Sequence, residues 1–192
     1  MKNIKFNFLI VFALISITAN SSCQNTIEKI TDTNQGLTDS IKPPLKIPAD
    51  TAVQKPVEWV NDFEHIIDNN TIDTLIFLVN DFEEKTAVQI AVVTTASFSP
   101  HTTINDYATW LGDKWGIGLK EINNGILVVV SSTQRQVRIS TGLGMEQLLP
   151  DQQCQEIVNT QMLPSFKQGN YALGISSGVK EIMRVLLLQA VK

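Results

Sequence analysis

The spacing of hydrophobic positions along the chain predicts alternating helices and strands. Between residues 70 and 86 the apolar positions recur at helical spacing, on the face Ile72, Leu75, Ile76, Val79 and Phe82. Asn70 is the expected N-cap of this helix. The nearly continuous β-branched run of residues 87–95 predicts a central buried strand. A second helical face then follows, at Ile104, Tyr107, Ala108, Leu111 and Trp115, with a Thr103 and Asp106 capping pair before it and Gly116 ending it.

The rest of the chain continues the pattern with two strands and two helices. Residues 126–130 predict a second buried strand, and the alternation of residues 136–140 predicts a half-exposed one. Because only residues 131–134 separate them, these two strands are expected to form a hairpin. Residues 151–166 and 171–188 predict closing helices, with Asn170 as a cap between them. This order of elements predicts an α/β fold, a three-layer α/β/α sandwich around a small mixed β-sheet.

The N-terminal residues have the layout of an export signal. Lys2 and Lys5 form a basic start, residues 6–17 are apolar, and Ser21 and Ser22 precede Cys23. This predicts a lipoprotein-type signal peptide at residues 1–22 and a lipidated Cys23, although Asn20 stands where such signals usually have Leu. Plain secretion is the alternative. Residues 23–55 are polar and proline-containing and predict a flexible tether, and the domain is expected at residues 56–192.

Charge and cysteine content exclude several classes of function. The formal net charge is -4, and no basic stripe is visible, so nucleic acid is not an expected partner. The chain has only two cysteines, Cys23 and Cys154, which excludes a disulfide framework and a cysteine metal site. Cys154 is interpreted as a small core side chain. The exported domain is therefore expected to face the periplasm or the cell exterior, with a membrane-protein partner as one possibility.

Oxygen-bearing side chains in loops and at element ends form a candidate cation site. They are Asp62, Asn123, Asn124, Glu146 and Asp151. Such ligands suit calcium or magnesium, whereas softer metals are disfavoured because His65 and His101 have no paired spacing. The competing interpretations are that Asp151 favours a helix N-terminus and that Glu146 is a solvated turn residue. The glycines of residues 116–118 and 142–144 match no phosphate-binding fingerprint and are interpreted as turn glycines, and Arg138 as a surface residue.

Six short motifs in a fixed order resemble the TPM family. They are Val60–Phe63, Trp115–Gly118, Asn124–Gly125, Arg135–Ile139, Gly142–Glu146 and Leu149–Asp151. The resemblance implies a Rossmann-like sandwich in a protein of a cell envelope or thylakoid lumen. It also implies binding of divalent cations by acidic residues clustered at one edge of the sheet, acid phosphatase activity in thylakoid members, and accessory or quality-control roles in others. Many members have Asp where this chain has Asn123, which removes one negative charge from the expected site.

These observations lead to one favoured function and two alternatives. The favoured function is a divalent-cation-binding module, anchored in the envelope, whose site combines Asp62, Glu146 and Asp151 with a carbonyl oxygen of Asn123 or Asn124. The first alternative is an interaction or quality-control accessory domain that docks a membrane partner. The second is a metal-dependent, acid phosphatase-like hydrolase, for which no serine or threonine beside a histidine base supplies a nucleophile.

Overall fold

A four-stranded mixed sheet forms the centre of the domain. The computed structural model describes residues 58–189, so the predicted signal peptide, Cys23 and the tether lie outside the described residues. The strands are β1 (Val60–Asp62), β2 (Gln89–Thr94), β3 (Gly125–Ser131) and β4 (Gln136–Thr141), and they neighbour one another in chain order. The first three are parallel, and β3 and β4 form the predicted antiparallel hairpin. The predicted α/β class is confirmed.

Helices cover both faces of this sheet and make the three layers. They are α1 (Asn69–Thr86), α2 (Ile104–Trp115), α3 (Asp151–Ile157), α4 (Leu163–Lys167) and α5 (Tyr171–Gln189). Successive residues of a strand point to opposite faces. Ile90 and Val92 of β2 therefore pack with α1, α3 and α5, whereas Ala91 and Val93 pack with α2. None of the helices within residues 58–189 is long and apolar enough to cross a membrane.

The helix ends follow the sequence signals with one shift. The Thr103 hydroxyl accepts a hydrogen bond from the Asp106 amide, and the Asn170 side chain accepts one from the Leu173 amide, as predicted. The N-cap of α1, however, is Asp68 and not Asn70. Its carboxylate accepts hydrogen bonds from the hydroxyl and the amide of Thr71, and these bonds lower the pKa of Asp68. The correct cap lies two residues earlier because a carboxylate there reaches free amides of the first turn.

Two elements differ from the sequence expectation. The segment Val60–Asp62 pairs with Val92–Thr94 as strand β1, but three residues are too few to show a period. The helix expected over residues 151–166 is interrupted by a π-helical turn at Val158–Met162, after which α4 begins with Pro164 in its first turn. Proline has no amide hydrogen and its ring crowds the preceding turn, so an unbroken α-helix is disfavoured there.

Candidate functional site

The loops that carry the sequence motifs pack against one another at the end of the sheet where strands β2 and β3 begin. A Cβ on Gly118 would lie 2.4 Å from the amide nitrogen of Gly125, and a Cβ on Gly144 would lie 1.8 Å from the carbonyl oxygen of Ile122. The Gly144 amide donates a hydrogen bond of 3.1 Å to the carbonyl of Asn123. Gly118 and Gly144 are therefore required by close backbone approach. Gly116 has open space around it and instead ends α2 in a left-handed conformation, in agreement with its interpretation as a turn glycine.

An open groove of about 660 Å³ lies beside these loops, between α2 and β4. Arg138 and Ser140 of β4 line it because the intervening Ile139 points into the opposite core. Helix α2 leaves space for the groove at Gly112, which has no side chain. The polar residues of the lining are Thr109, Asp113, Asn123, Arg138, Ser140, Thr141, Glu146 and Asp151. The groove therefore offers hydroxyl, amide, carboxylate and guanidinium groups to a ligand.

Charge in the groove is unbalanced in favour of carboxylates. Arg138 lies with Nη2 2.8 Å from Oδ1 of Asp151, and the two side chains are 31% and 74% exposed. Glu146 and Asp113 also line the groove, and no other residue of the described range forms an ion pair with either. Three carboxylates and one guanidinium give the groove a formal charge of about -2 near neutral pH. Arg138, interpreted from its alternation as a surface residue, thus lines the groove and is paired with Asp151 there.

Three of the five predicted metal ligands share this groove. Asn123, Glu146 and Asp151 all line it. Asn123 adopts a left-handed backbone conformation, with φ of 48°, and its carbonyl already accepts the amide of Gly144. Its side-chain amide makes no hydrogen bond to another described residue and remains free to bind a ligand. Within residues 58–189, however, no three His, Cys, Asp or Glu side chains converge closely enough to hold a metal ion.

Asp62 lies at the opposite end of the strands, at the end of β1. The expectation that all five ligands lie together at one side of the sheet is therefore wrong for this residue. Asp62 pairs with Thr94, which pairs with Val130 near the far end of β3. Gly125 begins β3 five residues earlier, about 16 Å away at the usual rise of a strand. The Asp62 carboxylate accepts hydrogen bonds from Ile66, Ile67 and Thr94. It therefore holds the loop that leads from β1 to α1.

Asn124 is likewise outside the groove, although its neighbour Asn123 lines it. Its side chain is 5% exposed. The side-chain carbonyl accepts the amide of Leu119 at 2.8 Å, and the side-chain amide donates to the carbonyl of Ala87. Asn124 thereby ties the end of α1 to the loop between α2 and β3, and the expectation that it contributes to the same site is wrong.

Two groove residues on α2 were missed by the sequence reasoning. Thr109 and Asp113 are four residues apart on α2 and therefore share one helical face. Ala108 and Gly112 precede each of them, and these small residues leave room at the groove wall. Small residues at four-residue spacing, each followed by a polar one, were the available signal. The apolar period of this helix includes Ala108 and does not include Gly112.

Cys154 is a core residue, as predicted. It is a free, buried cysteine on α3, and its Sγ lies 3.7 Å from the carbonyl oxygen of Leu149. Burial, with the nearby charge of Asp151 as a second cause, raises the pKa of the Cys154 thiol to about 11. The thiol is therefore protonated at neutral pH and is not a nucleophile.

Known proteins similar to this chain share the fold just described. No protein of curated function matches the chain. Among solved structures, the N-terminal domain of a P. gingivalis protein is 33% identical and aligns with a TM-score of 0.63, over 71% of this chain and 87% of that one. The BA42 protein of Bizionia argentinensis is 19% identical, with a TM-score of 0.56 over 65% of this chain and 83% of its own.

The family comparison agrees with the motif order. Residues 60–185 match the TPM domain, and this range includes every strand of the described sheet and all of the groove residues. The match covers more than half of the chain, and the P. gingivalis domain is a third identical over most of its length. The chain therefore belongs to the TPM domain family.

Proposed function

We propose that the groove between α2 and β4 binds a divalent cation, calcium or magnesium. The observation that carries this proposal is that Asn123, Glu146 and Asp151 line one cavity together with Asp113. All four offer oxygen ligands, which these hard cations prefer, and calcium accepts irregular ligand sets of six to eight oxygens. Because no three carboxylates converge in the described residues, waters complete the coordination shell.

Arg138 competes with the cation for Asp151. Their ion pair is partly exposed, and exposed pairs contribute only about 0–1 kcal/mol. A divalent ion can therefore displace the guanidinium from the carboxylate at small cost. This competition, together with the neutral Asn123 side chain, limits the affinity. We expect a dissociation constant on the order of 10⁻⁴–10⁻³ M, the range of extracellular calcium modules.

A calcium titration of four variants tests this site. Isothermal calorimetry and amide NMR shifts of the full-length chain should show binding by the wild type and its loss in Asp151→Asn. Asn123→Asp should bind more tightly, because it adds a carboxylate to the lining. Arg138→Gln should also bind more tightly, because it frees Asp151. Asp73→Asn is the matched control, since Asp73 is an exposed acid on α1 that does not line the groove.

The variants separate site binding from general attraction of cations. Calcium binding that is equal in the wild type and in Asp151→Asn would contradict the proposal. So would an Arg138→Gln variant that binds calcium no better than the wild type. Amide shifts confined to residues outside the groove would place the ion elsewhere.

A second candidate function is that of an accessory domain that docks a membrane-protein partner. The observation in its favour is a group of exposed apolar side chains next to the groove: Leu119, Ile122 and Leu143, the last of them 74% exposed. The close approach of Gly144 to Ile122 places Leu143 beside this loop. Cleavage before Cys23 and its lipidation would hold the domain at the envelope, facing the periplasm or exterior.

Membrane fractionation tests the anchor. The wild-type chain should appear in the membrane fraction, and Cys23→Ser should be released into the soluble fraction. A Cys154→Ser variant is the matched control, because it removes the buried cysteine and leaves the anchor. A wild-type chain that is fully soluble after export would contradict the anchored role.

A further inference from the structure

A second cavity, of about 510 Å³, lies at the other end of β4 and on the other face of the sheet from the groove. Its lining includes Arg135, Val137, Lys167 and Tyr171. Val137 packs against the core that α1 and α5 cover, whereas the groove residue Arg138 points to the α2 side. The volume falls within the usual range of about 300–1,000 Å³ for small-ligand sites.

The charge of this cavity is positive in an acidic protein. Arg135 and Lys167 line it, and no carboxylate does. Neither cation forms an ion pair with another residue of the described range. Glu64, an acid bonded to the turn of the same hairpin, does not line the cavity, and its carboxylate accepts four hydrogen bonds from Ser132 and Thr133. Two unpaired cations beside an apolar wall create a site for a negatively charged group.

The N-terminus of α5 adds to this positive potential. Gly169 and Tyr171, at the start of this 19-residue helix, line the cavity, and Asn170 caps it. The amide end of a helix carries a partial positive charge. Ser131, at the end of β3, also lines the cavity.

Two stacked aromatic rings form the apolar wall of the cavity. Phe166 and Tyr171 lie with ring centroids 5.0 Å apart and an angle of 28° between their planes. Gly174 on α5 leaves room for the Phe166 ring, because a Cβ at this position would come within 2.4 Å of it. Leu163 and Val137 extend the same apolar lining. A flat apolar body can pack against these rings while a charged group reaches the cations.

We propose that this cavity binds an organic carboxylate with an aromatic body. Arg135 and Lys167 pair with the carboxylate, and the Phe166–Tyr171 stack packs against the ring. The carboxylate can belong to a free small molecule or to the C-terminus of a peptide that ends in an aromatic residue. The site is independent of the cation proposed for the groove, because the two cavities share no lining residue.

Amide NMR titration of the full-length chain tests the site, with 3-phenylpropanoate as the probe. Saturable shifts are expected at residues 135–137 and 163–171. 3-Phenylpropanamide has the same shape and no charge. It should bind at least about tenfold more weakly, because charge-assisted hydrogen bonds are lost. The double variant Arg135→Gln, Lys167→Gln should lose binding, and Lys180→Gln, which removes an exposed lysine elsewhere on α5, should keep it.

A peptide arm distinguishes the two sources of the carboxylate. Acetyl-Gly-Phe with a free C-terminus is compared with its C-terminal amide. Binding of the peptide acid with about tenfold or greater preference over its amide would identify a chain terminus as an acceptable ligand, whereas binding of 3-phenylpropanoate alone would identify a free small molecule. No saturable shift with either acid, or equal binding of acid and amide, would overturn the proposal. Equal binding by the double variant would also overturn it.

Discussion

Asn124→Asp is the substitution that best separates a structural role from a ligand role at the motif loops. The wild-type side chain is buried, accepts the Leu119 amide and donates to the Ala87 carbonyl. An aspartate keeps the first bond, loses the second, and places a negative oxygen against the Ala87 carbonyl. The lost bond costs about 1 kcal/mol, and the second carboxylate oxygen, which is buried without a donor, costs roughly 2 kcal/mol more. We therefore expect a loss of about 3 kcal/mol in the free energy of unfolding.

Asn123→Asp is the matched control, because it makes the same chemical change one residue earlier. Asn123 is exposed, and Asp tolerates its left-handed backbone nearly as well as Asn does. Its effect on the free energy of unfolding should stay within about 0.5 kcal/mol. Urea denaturation followed by circular dichroism measures both values. The corresponding fall in Tm for Asn124→Asp is roughly 10 °C for a domain of this size.

Acid pH and calcium sharpen the comparison. A protonated carboxyl has an O–H that can donate to Ala87, so the deficit of Asn124→Asp relative to the wild type should shrink near pH 4. Added calcium should leave that deficit unchanged, because Asn124 does not line the groove. The reasoning is refuted if Asn124→Asp is as stable as Asn123→Asp. Calcium that restores the stability of Asn124→Asp would assign this residue to a cation site.

Three further predictions concern the loops, the core thiol and hydrolysis. Gly144→Ala should destabilise the domain by about 3 kcal/mol in urea denaturation, because the added Cβ would collide with the Ile122 carbonyl. The control Gly112→Ala in α2 should be neutral or stabilising by up to about 1 kcal/mol. Equal effects of the two substitutions would contradict this prediction. Burial keeps the Cys154 thiol protonated when folded and raises its pKa from 9.0 to about 11, so its contribution to stability is complete below pH 9 and is lost as the pH rises to about 11. Cys154→Ala should flatten that pH dependence, and an unchanged profile would contradict it. Phosphomonoester hydrolysis should be weak or absent with magnesium or calcium, since the groove is lined by hydroxyls and no histidine; robust turnover that disappears in Asp151→Ala would reverse the order of the functions.

Most of the fold could be predicted from the local spacing of hydrophobic residues. The helical faces of α1 and α2, the buried runs of β2 and β3, and the hairpin followed from residue spacing, because amphipathic helices and buried strands are patterned by the core they face. The caps at Thr103 and Asn170 followed from side-chain chemistry that acts within three residues. Strand β1 and the π-helical turn could not be predicted from residue spacing. A strand of three residues is too short to show a period, and a single π-helical turn changes the helical hydrogen-bond pattern by only one residue.

The candidate site depended on tertiary structure to a greater extent. The sequence by itself determined which residues carry oxygen ligands and that Gly142 and Gly144 occupy turns. It did not determine which of those residues meet. Asp62 ends strand β1 and Asp151 begins helix α3, and both lie within motifs. Strand β1, however, runs parallel to β3 and ends at the side of the sheet opposite to the one where β3 begins. The direction of β1, fixed by pairings between residues more than thirty positions apart, therefore left Asp62 outside the groove in which Asp151 lies with Arg138.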